Sequence, residues 1–117
     1  MFILCKIVFL FNVINKMAQV IKNYHKNGLI RTEYFINNGK IEGEYRSYWD
    51  NGQLQIACSY INGKREGEYK TYHENGQLWV ICNYVNRKIE GEYKIYNENG
   101  QLDKIFYYVN DIQQNKN

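Results

Sequence analysis

The sequence predicts an all-β protein made of tandem 24-residue β-hairpin repeats, stacked edge to edge into an antiparallel sheet. Three observations carry this. The stretch Glu66–Leu78 recurs 24 residues earlier as Glu42–Leu54 and 24 residues later as Glu90–Leu102, and the second and third copies agree at 11 of 13 positions. A fixed period of this length marks a repeat architecture in which each unit packs on its neighbours. Asn-Gly returns at the same interval, ending on Gly28, Gly52, Gly76 and Gly100, and this dipeptide is the strongest short hairpin signal. Finally, the chain holds 12 tyrosines and no proline, a composition suited to half-buried pleated surfaces.

Taken in order, residues 1–16 form an apolar segment broken by Lys6. It falls short of the ~20 residues of a membrane-spanning helix and lacks the basic start and cleavage site of a signal peptide. Three readings stay open: a strand or helix packed on the repeats, a weak anchor or signal, or untranslated sequence ahead of Met17. Residues 17–110 form the repeat domain, with a degenerate first unit. A second turn follows in each unit, at Gly39 and Gly63, and becomes Asn86-Arg87 in the third. Loss of that glycine predicts strain or a change of turn type. Residues 111–117 read as a polar, frayed tail.

Two turns per unit mean two strands per unit, and two-residue type I′ turns set the register. Around Asn75-Gly76 this pairs His73 with Leu78, Tyr69 with Cys82 and Gly67 with Tyr84; around Asn62-Gly63 it pairs Cys58 with Gly67 and Ile56 with Tyr69. Alternation of side chains then sorts two faces. The apolar face collects Tyr45, Tyr69 and Tyr93 with Leu54, Leu78 and Leu102, Ile56 and Val80, Cys58, Cys82 and Phe106, and Tyr60, Tyr84 and Tyr108. The other face carries Glu44, Glu68 and Glu92, Arg46, Lys70 and Lys94, and the aromatic residues Tyr48, Tyr72, Trp79 and Tyr96. Gly43, Gly67 and Gly91 fall beside Tyr60, Tyr84 and Tyr108, where a missing Cβ leaves room for a ring across the backbone. Lys104 interrupts the aliphatic row, as suits a terminal capping unit.

Gly43–Leu54 followed by Tyr60–Lys64 resembles MORN repeats, in the variant form seen in antitoxin-type bacterial proteins and in large DNA viruses of protists. Glycine, tyrosine and Asn-Gly recur in register over roughly Asn23 to Asn110. The resemblance implies an elongated, twisted sheet of hairpins. It also implies roles in protein–protein contact, dimerisation, antitoxin-like inhibition or association with phospholipid, and no catalytic residues to carry over. Arg87, Lys104 and the smeared first unit depart from the pattern.

Site chemistry is sparse. The formal charge is +3, and Lys and Arg alternate with Glu, so the basic stripe of a nucleic-acid binder is missing. His73 aligns with Trp49 and Asn97, and no CxxC or HxxxH spacing accompanies it, so no metal or cofactor is expected. Cys58 and Cys82 occupy equivalent positions about 9.6 Å apart, two strand spacings. That is beyond reach of a disulfide, and reduced thiols fit a cytoplasm, a host's if the protein is viral. The Glu-Gly-Glu carboxylates place two acids on one strand face, about 6.6 Å apart. Their threefold repetition suits charge ladders with Arg46, Lys70 and Lys94 better than a single catalytic constellation. No phosphate-cradling glycine motif occurs. The expected function is therefore a non-catalytic interaction scaffold, with Tyr48, Tyr72, Trp79 and Tyr96 as partner contacts and self-association open. A peripheral membrane module is the alternative.

Overall fold

A computed structural model describes residues 18–115; the apolar segment 1–16 lies outside the described residues. Those residues form one open antiparallel sheet of eleven strands and contain no helix. The strands are β1 (Gln19–Tyr24), β2 (Ile30–Asn37), β3 (Lys40–Tyr48), β4 (Leu54–Ile61), β5 (Lys64–Arg65), β6 (Gly67–Tyr72), β7 (Leu78–Val85), β8 (Lys88–Ile89), β9 (Gly91–Tyr96), β10 (Leu102–Val109) and β11 (Ile112–Gln114). β5 with β6, and β8 with β9, are each one strand interrupted at a glutamate. The principal extents are 72 × 36 × 14 Å, the thickness of a single layer.

The two kinds of turn differ. Asn38-Gly39, Asn62-Gly63, Asn86-Arg87 and Asn110-Asp111 all have positive φ at both residues, the two-residue type I′ form. Arg87 keeps that form without glycine, at φ 70°, so the turn strains and does not change type. The fourth turn continues into β11, which pairs with β10; residues 112–114 are therefore paired strand and not the frayed tail expected from residue 111 onward. At the other row the I′ expectation fails. Gly76 N–H donates to the His73 carbonyl, His73 N–H donates to the Gln77 carbonyl, and only Gly76, not Asn75, has positive φ. This is a three-residue loop, a type I turn closed by a left-handed glycine. Asparagine serves there through its side chain. Asn75 Oδ1 accepts from Gln77 N–H, and Asn75 Nδ2 donates 2.9 Å to the Glu98 carbonyl of the next unit.

The longer loop shifts the register by one residue near each turn. Tyr69 faces Cys82 and Gly67 faces Tyr84, as expected, but a bulge then sets Tyr72, not His73, against Leu78. The same step sets Tyr48 against Leu54 and Tyr96 against Leu102. Directly opposed residues share a face, and a one-residue slip moves a side chain to the other side. Leu54, Leu78 and Leu102 therefore join Tyr48, Tyr72 and Tyr96, contrary to the sequence assignment. Across the other turn Ile56 faces Thr71 and Ala57 faces Lys70, two residues on from the expected pairing. A shift of two preserves the face.

The cause of that second shift is the glycine of Glu-Gly-Glu. Gly43, Gly67 and Gly91 have φ between +82° and +88°, and a Cβ added at any of them meets nothing within 4 Å. Room for a tyrosine ring is not why glycine stands there. The backbone bulges, and only glycine takes this φ freely.

Packing concentrates on the tyrosine face. Its buried members are Ser47, Cys58, Val80 and Cys82, the last 4% exposed. Tyrosine pairs cover them edge-on, Tyr45 with Tyr60 and Tyr69 with Tyr84, at centroid distances of 5.9 and 5.6 Å. Cys58 and Cys82 are free thiols. Burial, opposed by Arg65, raises both, Cys82 to about 11.

Candidate functional site

Units are tied together along both turn rows. On one, Asn27, Asn51 and Asn75 each donate to the carbonyl of Asp50, Glu74 or Glu98 in the next unit. Beside them Trp49 Nε1 donates 3.0 Å to the Tyr72 carbonyl, while His25 and His73 Nε2 reach the carbonyls of Tyr48 and Tyr96. A carbonyl only accepts, so both imidazoles carry their proton on Nε2. In the three units that have a following unit to tie to, this position carries a ring N–H. On the opposite row Glu42, Glu66 and Glu90 accept from the backbone N–H of Asn62, Asn86 and Asn110.

The paired acids thus divide their labour. The positive-φ glycine turns the first glutamate toward the turn row, whereas Glu44, Glu68 and Glu92 pair with Arg46, Lys70 and Lys94 at 2.8–3.1 Å. The latter pairs are exposed, where solvent screens them and they add little to stability. Among the described residues no group of His, Cys, Asp and Glu could hold a metal ion.

Of the expected contact residues, Tyr48 and Tyr72 line one hollow of about 470 Å³ with Leu54, Arg46 and Lys70. Tyr48 donates 2.8 Å to Glu33, and burial followed by that hydrogen bond raises its hydroxyl. Tyr96 lies one unit further along the same row, against Leu102. Trp79 is not brought to this hollow. It stacks on His73, centroids 5.0 Å apart and planes 22° off parallel, in a second hollow shared with Trp49.

Sequence reasoning missed Arg65. Its guanidinium lies 4.7 Å over the Tyr69 ring and 5.6 Å from that of Tyr84, with Nε 3.3 Å from Tyr60 Oη. The signal was present, since Arg65 stands where Ile41 and Ile89 stand in the flanking units. Trp79 likewise stands where Gln55 stands, and the substitution has a cost. Ser47 Oγ donates to Gln55, but its equivalent, Thr71 Oγ1, is buried without a partner. Removing an unsatisfied buried hydroxyl is stabilising. Thr71→Val should therefore raise stability by about 1 kcal/mol, or roughly 4–8 °C in melting temperature by calorimetry; a drop would show that the hydroxyl is satisfied.

A family model described as MORN repeat variant matches residues 41–62, 65–86 and 89–110, together more than half of the chain. The chain belongs to the MORN repeat variant family. MORN repeats act as scaffolds or membrane-association modules and are in general a non-enzymatic repeat type. Each matched MORN unit begins in the strand that follows one I′ turn and ends on the asparagine of the next, enclosing one three-residue loop, so the three matches follow one another along the sheet. Comparison with curated proteins and with solved structures returns no match. No helix among the described residues is long and apolar enough to cross a membrane.

Proposed function

We propose that this MORN repeat protein is a non-catalytic scaffold that holds a protein partner against a half-buried tyrosine row and the exposed Trp79. The observation that supports this reading most is the single 14 Å layer. Stable domains cover a sheet's apolar face with a second layer, and uncovered apolar patches mark contact sites. Tyr48, Tyr72 and Tyr96, with Leu54, Leu78 and Leu102 beside them, supply one such row; Trp79, 42% exposed, supplies an anchor at the turns. Tyrosine and tryptophan dominate binding hot spots. Free buried thiols suit a reducing compartment, and we assign the protein to the cytoplasm.

The test is cross-linking of the full chain in its native host, followed by binding of the identified partner to a Tyr48→Ser, Tyr72→Ser double variant. We expect at least a tenfold loss of affinity, which hot-spot truncation of about 1.4 kcal/mol or more produces, with melting shifted by only a few degrees. Equal loss of binding and of fold would make the row structural. Flotation of the full chain with anionic vesicles in place of protein capture would favour the membrane reading.

A further inference from the structure

The second hollow, about 560 Å³, is lined by Trp49, His73, Glu74, Asn75, Trp79 and Glu98. Trp49 and Trp79 are the only tryptophans of the chain. They are not repeats of one another: Trp49 takes the place that His25, His73 and Asn97 hold, and Trp79 the place of Gln55 and Asp103. Neither position demands an indole for the sheet to form. The two indoles nonetheless meet in one hollow, and the second, a departure from the repeat, leaves Thr71 Oγ1 buried without a partner. A sequence that breaks its own local rule at a stability cost does so where function requires it.

We propose that this hollow is a cage for an organic cation, the guanidinium or ammonium of a basic side chain on the partner protein. The aromatic floor is preset. Trp79 is held flat against His73, His73 is fixed by its bond to the Tyr96 carbonyl, and Trp49 by its bond to the Tyr72 carbonyl. Ring faces attract cations through their quadrupole, tryptophan most strongly. The rim decides the sign of the ligand. Glu74 and Glu98 bring two carboxylates, neither of which has an ion-pair or hydrogen-bond partner among the described residues, and none of the described lysines or arginines lines the hollow. Two free negative charges repel a phosphate-bearing nucleotide, which the aromatic rings alone would accept. The source of the cation, though not the cage itself, rests on the scaffold reading.

Because both tryptophans line the hollow, the intrinsic indole fluorescence of the full chain reports on it directly. The probes are N-acetyl-arginine amide, N-acetyl-lysine amide and tetramethylammonium chloride, titrated at constant ionic strength, with neutral N-acetyl-glutamine amide as control. We expect a saturable change with the cations and none with the control. Glu74→Gln combined with Glu98→Gln, both at exposed positions, should weaken binding roughly three- to tenfold at low salt. Trp79→Leu should abolish saturation of the remaining Trp49 signal. An equal response to the neutral amide, no saturable response to any cation, or indifference to the double glutamine variant overturns the cage. Saturable binding of free cations combined with unimpaired partner capture by Trp79→Leu would keep the cage and refute its use by that partner.

Discussion

Replacing Gly67 with valine should cost about 3 kcal/mol, the upper end of the cost of a strained backbone conformation. At φ +86° the backbone lies where side chains are rarely found, and a β-branched residue there is a severe outlier. Space does not contribute, because a Cβ at Gly67 meets nothing within 4 Å. This makes the order of substitutions diagnostic. Asparagine tolerates positive φ better than alanine, and alanine better than valine. Melting temperatures followed by circular dichroism should fall in the order Gly67→Asn least, then Gly67→Ala, then Gly67→Val. If the glycine instead made room for the Tyr84 ring, the larger asparagine would be worse than alanine.

Stability should also fall steeply in alkali, by about 2–3 kcal/mol from Cys82 alone. The folded thiol loses its proton at about 11, against 9.0 ordinarily, because burial disfavours the thiolate. The unfolded chain therefore releases its proton first, and stability decreases as pH rises through the window from 9 to about 11. Below pH 9 the group contributes no slope. Burial also raises the hydroxyls of Tyr45, Tyr69 and Tyr93, which extends the decline above pH 10. Urea unfolding at pH 8, 9.5 and 11 measures it, and Cys82→Ala should flatten the first part of the curve. A slope unchanged by that variant would mean that Cys82 is hydrated in the folded sheet.

The architecture was legible because period, turn dipeptides and alternation all report on backbone geometry. Tyr69 against Cys82 and Gly67 against Tyr84 follow from counting alone. The leucine row was misplaced for one reason: Asn-Gly is compatible with both a two-residue and a three-residue loop, and the difference is one residue of register. The hydrogen bond from His73 N–H to the Gln77 carbonyl and the positive φ confined to Gly76 distinguish them. The glycines of Glu-Gly-Glu stand out in the sequence, but the reason for them is torsional and not steric, and φ is not written in residue identity. Arg65 is less legible still, because its significance lies in what it replaces, Ile41 and Ile89, and not in any recurring pattern.

The ties between neighbouring units, Glu66 with Asn86 or Asn75 with Glu98, span only 20 to 23 positions of sequence. Such ties can thus close soon after their two ends leave the ribosome. Closing short loops costs little entropy, and chains rich in such local pairings fold fast. The protein should acquire its shape hairpin by hairpin during synthesis, each finished unit serving as the template on which the next is laid.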